Sequence, residues 1–94
     1  MAVSFEWDEE KERANLLKHG VGFDEAAEVF SDPFVIIHDD RTVEGEERLH
    51  AIGYVCRVLL VVHTIREEPP DAVIRIISAR KATPAERKLY EESD

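Results

Sequence analysis

The alternation of apolar and polar residues divides the chain into a helical beginning, a strand-rich middle and a helical end. Asp8 precedes a run of helix-forming residues that stops at Gly20. Asp8 is placed to accept from the free amides of a first helical turn. The acids Glu9, Glu10 and Glu12 suit the positive end of the helix dipole, and Lys18 and His19 suit the other end. Gly20 supplies the left-handed conformation that ends a helix. Residues 24–30 predict a second short helix with Ala26, Ala27 and Phe30 on one face, closed by Asp32-Pro33. Trp7, Phe23 and Phe30 are expected to pack between these helices and a sheet.

The period then changes from helical to alternating. Residues 34–37 predict a strand, and the polar stretch 39–46, which contains Gly45, predicts a loop. Residues 48–54 alternate, with Leu49, Ala51 and Gly53 opposite Arg48, His50, Ile52 and Tyr54. The β-branched run 57–64 predicts the most buried strand. Residues 66–71 read as a charged loop that Pro69 and Pro70 keep out of the sheet. Residues 73–78 form the last strand. Thr83-Pro84-Ala85-Glu86 opens a final helix, with Thr at the cap, Pro at the first helical position and Glu completing a capping box. The prediction is one α+β domain over residues 1–94. It has two N-terminal helices, a largely antiparallel four-stranded sheet, a C-terminal helix, and helices on one face.

Composition narrows the class. A chain of 94 residues, 44% hydrophobic and 35% charged, builds one modest core. The single cysteine, Cys56, allows no intrachain disulfide, which fits a reducing, cytoplasmic setting. It lies in an apolar run and reads as an inert small residue. The first six residues lack the basic-then-apolar order of a signal peptide. The longest apolar run, residues 58–62, is too short to span a bilayer, so no membrane partner is expected.

Charge changes the picture more. The net charge of −9 argues against nucleic acid, because phosphate contacts want Lys and Arg. The acidity is uneven, however. Residues 1–35 carry −6, whereas residues 72–90 carry +4. A local basic face toward the C-terminus is therefore compatible with the total.

Candidate chemistry follows the strand faces. One face of 48–54 offers Arg48 and His50, one face of 57–64 offers Arg57 and His63, and Arg75 and Arg80 lie in and just past 73–78. If these faces coincide, they form an arginine and histidine surface that can bind a phosphodiester and stabilise charge building on it. The histidines can move protons near neutral pH. The same residues also fit the solvated face of an amphipathic sheet, and the registers stay open. Lys18 and His19 either compensate a helix dipole or place a cation and a general acid or base at a helix end. Glu47, beside Arg48, is either a solvated loop residue or a base that an arginine orients. His38-Asp39 lacks further ligands at suitable spacing, so neither a metal nor another cofactor is expected. There is no Gly-rich phosphate loop, nucleophile elbow or CxxC pair.

Taken together, the pieces resemble a known family. Phe5-Glu6-Trp7-Asp8, Lys11, Asn15, Lys18-His19-Gly20-Val21, Phe23, Glu25-Ala26, Val29-Phe30 and Asp32-Pro33 resemble the opening of BrnT toxins. Glu46-Glu47-Arg48 with Ile52-Gly53 is similar to the middle. Leu59-Leu60-Val61-Val62 with Thr64, then Ile74-Arg75-Ile76-Ile77-Ser78-Ala79-Arg80 with Ala82-Thr83, Glu86-Arg87 and Tyr90, are similar to the close. The resemblance implies a RelE-like fold and the toxin role of a type II toxin–antitoxin pair. It implies a metal-independent endoribonuclease that inhibits translation and is neutralised by a BrnA-like ribbon-helix-helix antitoxin. The pair would touch operator DNA only through that antitoxin. It implies catalytic roles for Lys18, His19, Glu47, Arg48, Arg75 and Arg80. His50, His63, Arg66 and Lys81 are expected to bind the RNA substrate. Two departures stand out: residues 67–71 are longer and more acidic than the usual turn, and His63 stands where an aromatic or aliphatic residue is common. The alternative is a non-enzymatic subunit whose basic surface docks an acidic antitoxin segment and which acts as a corepressor. The −9 charge leans toward it.

Overall fold

The structure, a computed structural model, describes residues 2–92. Its elements run β1 (Val3–Glu6), α1 (Glu9–His19), α2 (Phe23–Ala27), a 3-10 turn (Glu28–Ser31), β2 (Ile36–Val43), β3 (Glu46–Tyr54), β4 (Val58–Glu68), β5 (Asp71–Lys81) and α3 (Pro84–Glu91). The helix caps are those expected from local chemistry. The Asp8 carboxylate accepts from the amides of Glu10 and Lys11, Gly20 adopts a φ of 71°, and Thr83 and Glu86 close a reciprocal capping box.

The sheet differs from the expectation. It has five strands in the order β1-β5-β4-β3-β2, and it is mixed rather than largely antiparallel and four-stranded. The added strand, β1, runs parallel to β5, from Val3 opposite Ala72 to Glu6 opposite Arg75. Four residues are too few to display a period, and their partner lies at the far end of the chain. Tertiary contacts hold β1 in place, among them the Phe5 ring, tilted against Phe30 at 5.6 Å.

The expected loop at residues 39–46 is mostly strand. β2 runs on through its polar residues to Val43, and only Glu44 and Gly45 form the turn, at φ of 52° and 78°. Two successive positive φ angles match the twist of a tight hairpin. The part of β2 beyond residue 37 is an exposed edge, so no apolar alternation reveals it. The expected loop at 66–71 likewise shrinks to Pro69 and Pro70, because β4 reaches Glu68 and β5 starts at Asp71.

Residues paired across strands share a face. The row Ala51–Val61–Ala79 and the pair Gly53–Leu59 face α1, α2 and the 3-10 turn, where Val21, Phe23, Ala26 and Val29 complete the core. A Cβ on Gly53 would stand 2.7 Å from Val29 Cγ1, so only glycine admits this approach. The row Ile52–Leu60–Arg80 faces the other way. Ile52 and Leu60 are nevertheless buried, because α3 packs against β3. Helices therefore lie on both faces, not one. The Tyr90 hydroxyl of α3 donates to the Asp32 carboxylate, which also accepts from the amides of Phe34 and Tyr54.

Asn15 fastens α1 to the sheet. β1 covers β5 only as far as Arg75, so the rest of that edge is open. The Asn15 side chain takes the place of a strand there. It accepts from the Ala79 amide at 3.1 Å and donates to the carbonyls of Ala79 at 2.8 Å and Val21 at 2.9 Å. Replacing Asn15 with Ala is expected to lower unfolding stability by about 2–3 kcal/mol, since a buried amide and carbonyls lose their partners. Urea unfolding measures this, and an unchanged midpoint would refute the role.

Candidate active site

An irregularity in β5 decides which side chains meet. Val62 stands opposite Ser78, and the next residue, His63, stands opposite Ile76. Ile77 is thus an extra residue, a β-bulge. Arg75 and Arg80 are five apart and would face opposite ways on a regular strand. With the bulge, Arg75 stands beside Thr64 and Arg80 beside Leu60, on the same face. His50 stands opposite Val62, so it shares that face, as does Arg48 two residues earlier. Arg66, opposite Val73, extends the surface. A second bulge, in β2 between Asp39 and Arg41, places the Asp40 carboxylate 3.2 Å from His50 Nε2.

Carboxylates hold most of these cations in position. Arg80 grips Glu86 with two bonds, Nη1 to Oε1 at 2.7 Å and Nη2 to Oε2 at 3.0 Å. This bond pulls the Glu86 carboxyl down to about 2. The Thr83 amide, which also donates to Glu86, adds to the effect. Glu6 of β1 bridges Arg66 at 2.9 Å and Arg75 at 3.4 Å, and Arg66 also reaches Glu68 at 3.1 Å. Arg48 differs. It has no ion pair among the described residues, and its Nε is buried without a hydrogen-bond partner.

Lys18 and His19 lie at the open edge of β5. They line a shallow depression of about 220 Å³ with Lys11, Ala14, Asn15, Ile77 and Ser78. The bulge thus forms part of its wall, and Ser78 belongs to the His50–Val62 row.

Three expected residues lie elsewhere. Glu47, opposite Thr42, is exposed on the other face near the β2–β3 turn. Lys81, opposite Leu59, also points away from the arginines. His63 is fully buried, because the pairing of His50 with Val62 sends His63 to the helix side. It meets Phe30 edge-to-face at 4.7 Å, and burial pushes its pKa down. Arg57 stays apart too, donating to the Gly20 carbonyl and Glu25. Asp40, Glu6 and Glu86 were not anticipated as part of the site. Of these, only Glu86 carried a signal, through its capping box.

A family model described as the ribonuclease toxin BrnT of type II toxin–antitoxin systems matches residues 7–86. The chain belongs to the BrnT family. The match ends at Glu86, the carboxylate that holds Arg80. The 1.1 Å crystal structure of the Brucella abortus ribonuclease toxin BrnT superposes with a TM-score of 0.60 at 26% sequence identity. The alignment covers 86% of this chain and 97% of that one. No curated protein matches the chain. Membership in a type II toxin–antitoxin family implies an antitoxin partner. Among the described residues, no helix is long and apolar enough to cross a membrane.

The Arg80–Glu86 pair sets an acid limit. The carboxyl titrates lower in the folded chain than its ordinary 4.5, so its stabilisation is complete above that pH and is lost as pH falls toward about 2. Replacing Glu86 with Gln removes this contribution. Melting curves of the two proteins are expected to differ at neutral pH and to converge across that window. A constant gap would contradict the assignment.

Proposed function

We propose that this BrnT-family chain is a cytoplasmic, metal-independent endoribonuclease that inhibits translation by cutting RNA on the cationic face of its sheet. The observation that carries the reading is the β5 bulge, which aligns Arg75 and Arg80 with Arg48 and His50. Arginines fixed on a strand pre-organise a phosphodiester site and stabilise charge growing on the phosphoryl oxygens. In the reaction, a base takes the proton of the 2′-hydroxyl. The 2′-oxygen bonds to phosphorus, the bond to the 5′-oxygen breaks, and a protonated histidine donates to that leaving oxygen. The products are a 2′,3′-cyclic phosphate and a 5′-hydroxyl.

His19, at the open edge of β5, suits the base, whereas Glu47 faces away. His50, on the arginine face, suits the acid. Lys18 and Arg66 extend the phosphate track. These roles need a base, an acid and cations, all of which side chains supply. With a net charge of −9, the rest of the body repels RNA, so the substrate approaches the C-terminal strands. A BrnA-like ribbon-helix-helix antitoxin neutralises the chain and carries the pair to operator DNA.

One observation favours a second reading. Arg66, Arg75 and Arg80 already hold carboxylates, so an acidic antitoxin segment can take the place of Glu6, Glu68 and Glu86. In that case the chain is a corepressor without activity. Incubation of the purified protein with RNA and a chelator separates the two. The expected result is cleavage leaving cyclic phosphate ends, and a drop of about 10²-fold or more in Arg80→Ala that still melts cooperatively. No cleavage by the unaltered protein at high concentration would overturn the ribonuclease reading in favour of the corepressor.

A further inference from the structure

The geometry points to Asp40 as the residue that positions His50 for proton transfer, a role that rests on the ribonuclease reading above. In a regular β2–β3 ladder, His38 opposite His50 and Asp39 opposite Leu49 would bring Asp40 opposite Arg48. The bulge gives that place to Arg41 and releases Asp40 from pairing. Two consequences follow. Arg48 loses the carboxylate that regular register would supply, and its charge stays available to a phosphate. His50 gains one instead, with Asp40 Oδ2 at 3.2 Å from Nε2.

The pair is better sheltered than a loose surface contact. Only 26% of the His50 side chain and 25% of the Asp40 side chain are exposed. Arg41 Nε lies 3.9 Å from the same carboxylate oxygen. The row His50–Val62–Ser78 also lies between the two bulges of the sheet, one in β2 and one in β5. Bulges commonly re-aim side chains beside active sites.

The approach is a charge contact and not a straight N–H···O hydrogen bond, and a carboxylate charge this close to one ring nitrogen favours a proton on that nitrogen. The neutral His50 ring therefore carries its proton on Nε2. Nδ1, which has no carboxylate beside it among the described residues, is the atom left to face RNA. When the ring is protonated, Nδ1 holds the second proton. It passes that proton to the 5′-oxygen as the phosphorus–oxygen bond breaks, and solvent returns one afterwards. Asp40 touches no substrate; its charge sets the tautomer.

Two measurements on the full chain test this. The first is ring nitrogen NMR of His50 at alkaline pH. It is expected to show the Nε2–H form in the unaltered protein and a mixture in Asp40→Asn. The second is RNA cleavage in the presence of chelator. Asp40→Asn is expected to lower kcat about 10- to 100-fold with KM within about twofold, as for other residues that orient a reactive group. His50→Ala is expected to lose at least as much, and adding Asp40→Asn to it is expected to cost nothing further. A proton on Nδ1 in the unaltered protein, an unchanged ring signal in Asp40→Asn, or fully additive losses would overturn the proposal. If the unaltered protein cleaves no RNA, the ribonuclease reading fails, and the ring tautomer alone decides whether Asp40 positions His50.

Discussion

Side chains on a strand alternate between its two faces, so residues five apart point in opposite directions unless the strand gains a residue. β5 gains that residue at Ile77, and both sides of the sheet depend on it. On the helix side, the insertion lets Ile76 and Ala79 enter one core with Ala51, Leu59 and Val61. On the other side, it lets Arg75 and Arg80 join Arg48 and His50. Without it, either the core would lose an apolar residue or the cationic face would lose an arginine. Asn15 bonds both backbone groups of Ala79, two residues beyond the bulge, and so anchors the shifted part of the strand.

The cations of that face are tied to acids that come from elsewhere in the chain. Glu6 arrives with β1, Glu86 with α3 and Glu68 with the end of β4. The more exposed of these pairs, Arg66 with Glu6 and Glu68, contribute little stability. The consequence of the pairs here is orientation, because a bidentate grip fixes a guanidinium plane. They also keep the face close to neutral, with Arg48, Arg66, Arg75 and Arg80 matched in charge by Asp40, Glu6, Glu68 and Glu86. Arg48 remains without a carboxylate partner among the described residues, because a bulge in β2 moved Asp40 to His50. An incoming anion thus finds Arg48 free and the other arginines already aimed.

Much of the local structure was legible in the chain because its cause lies within a few residues. Asp8 and Gly20 frame α1, and Thr83 with Glu86 opens α3. The alternation around Ala51 and Gly53 placed one strand correctly. The polar continuation of β2 beyond residue 37 and the ends of β4 and β5 were hidden, since strands that bury little show no apolar period. β1 was hidden because its partner is remote in sequence. The resemblance of the whole chain to BrnT toxins was legible, because order and spacing survive where single motifs are weak.

The sequence by itself therefore determined the helix caps, the strand-rich centre, the location of positive charge toward the C-terminus and the family. These depend on short-range chemistry or on composition. Only the tertiary structure decided which side chains share a face. Register depends on pairing between distant segments, and a single inserted residue reverses everything beyond it. That is why His63, expected beside His50, lies in the core against Phe30. It is also why Arg75 and Arg80, ambiguous in the sequence, stand together, and why Asp40, unremarked in the sequence, stands against His50.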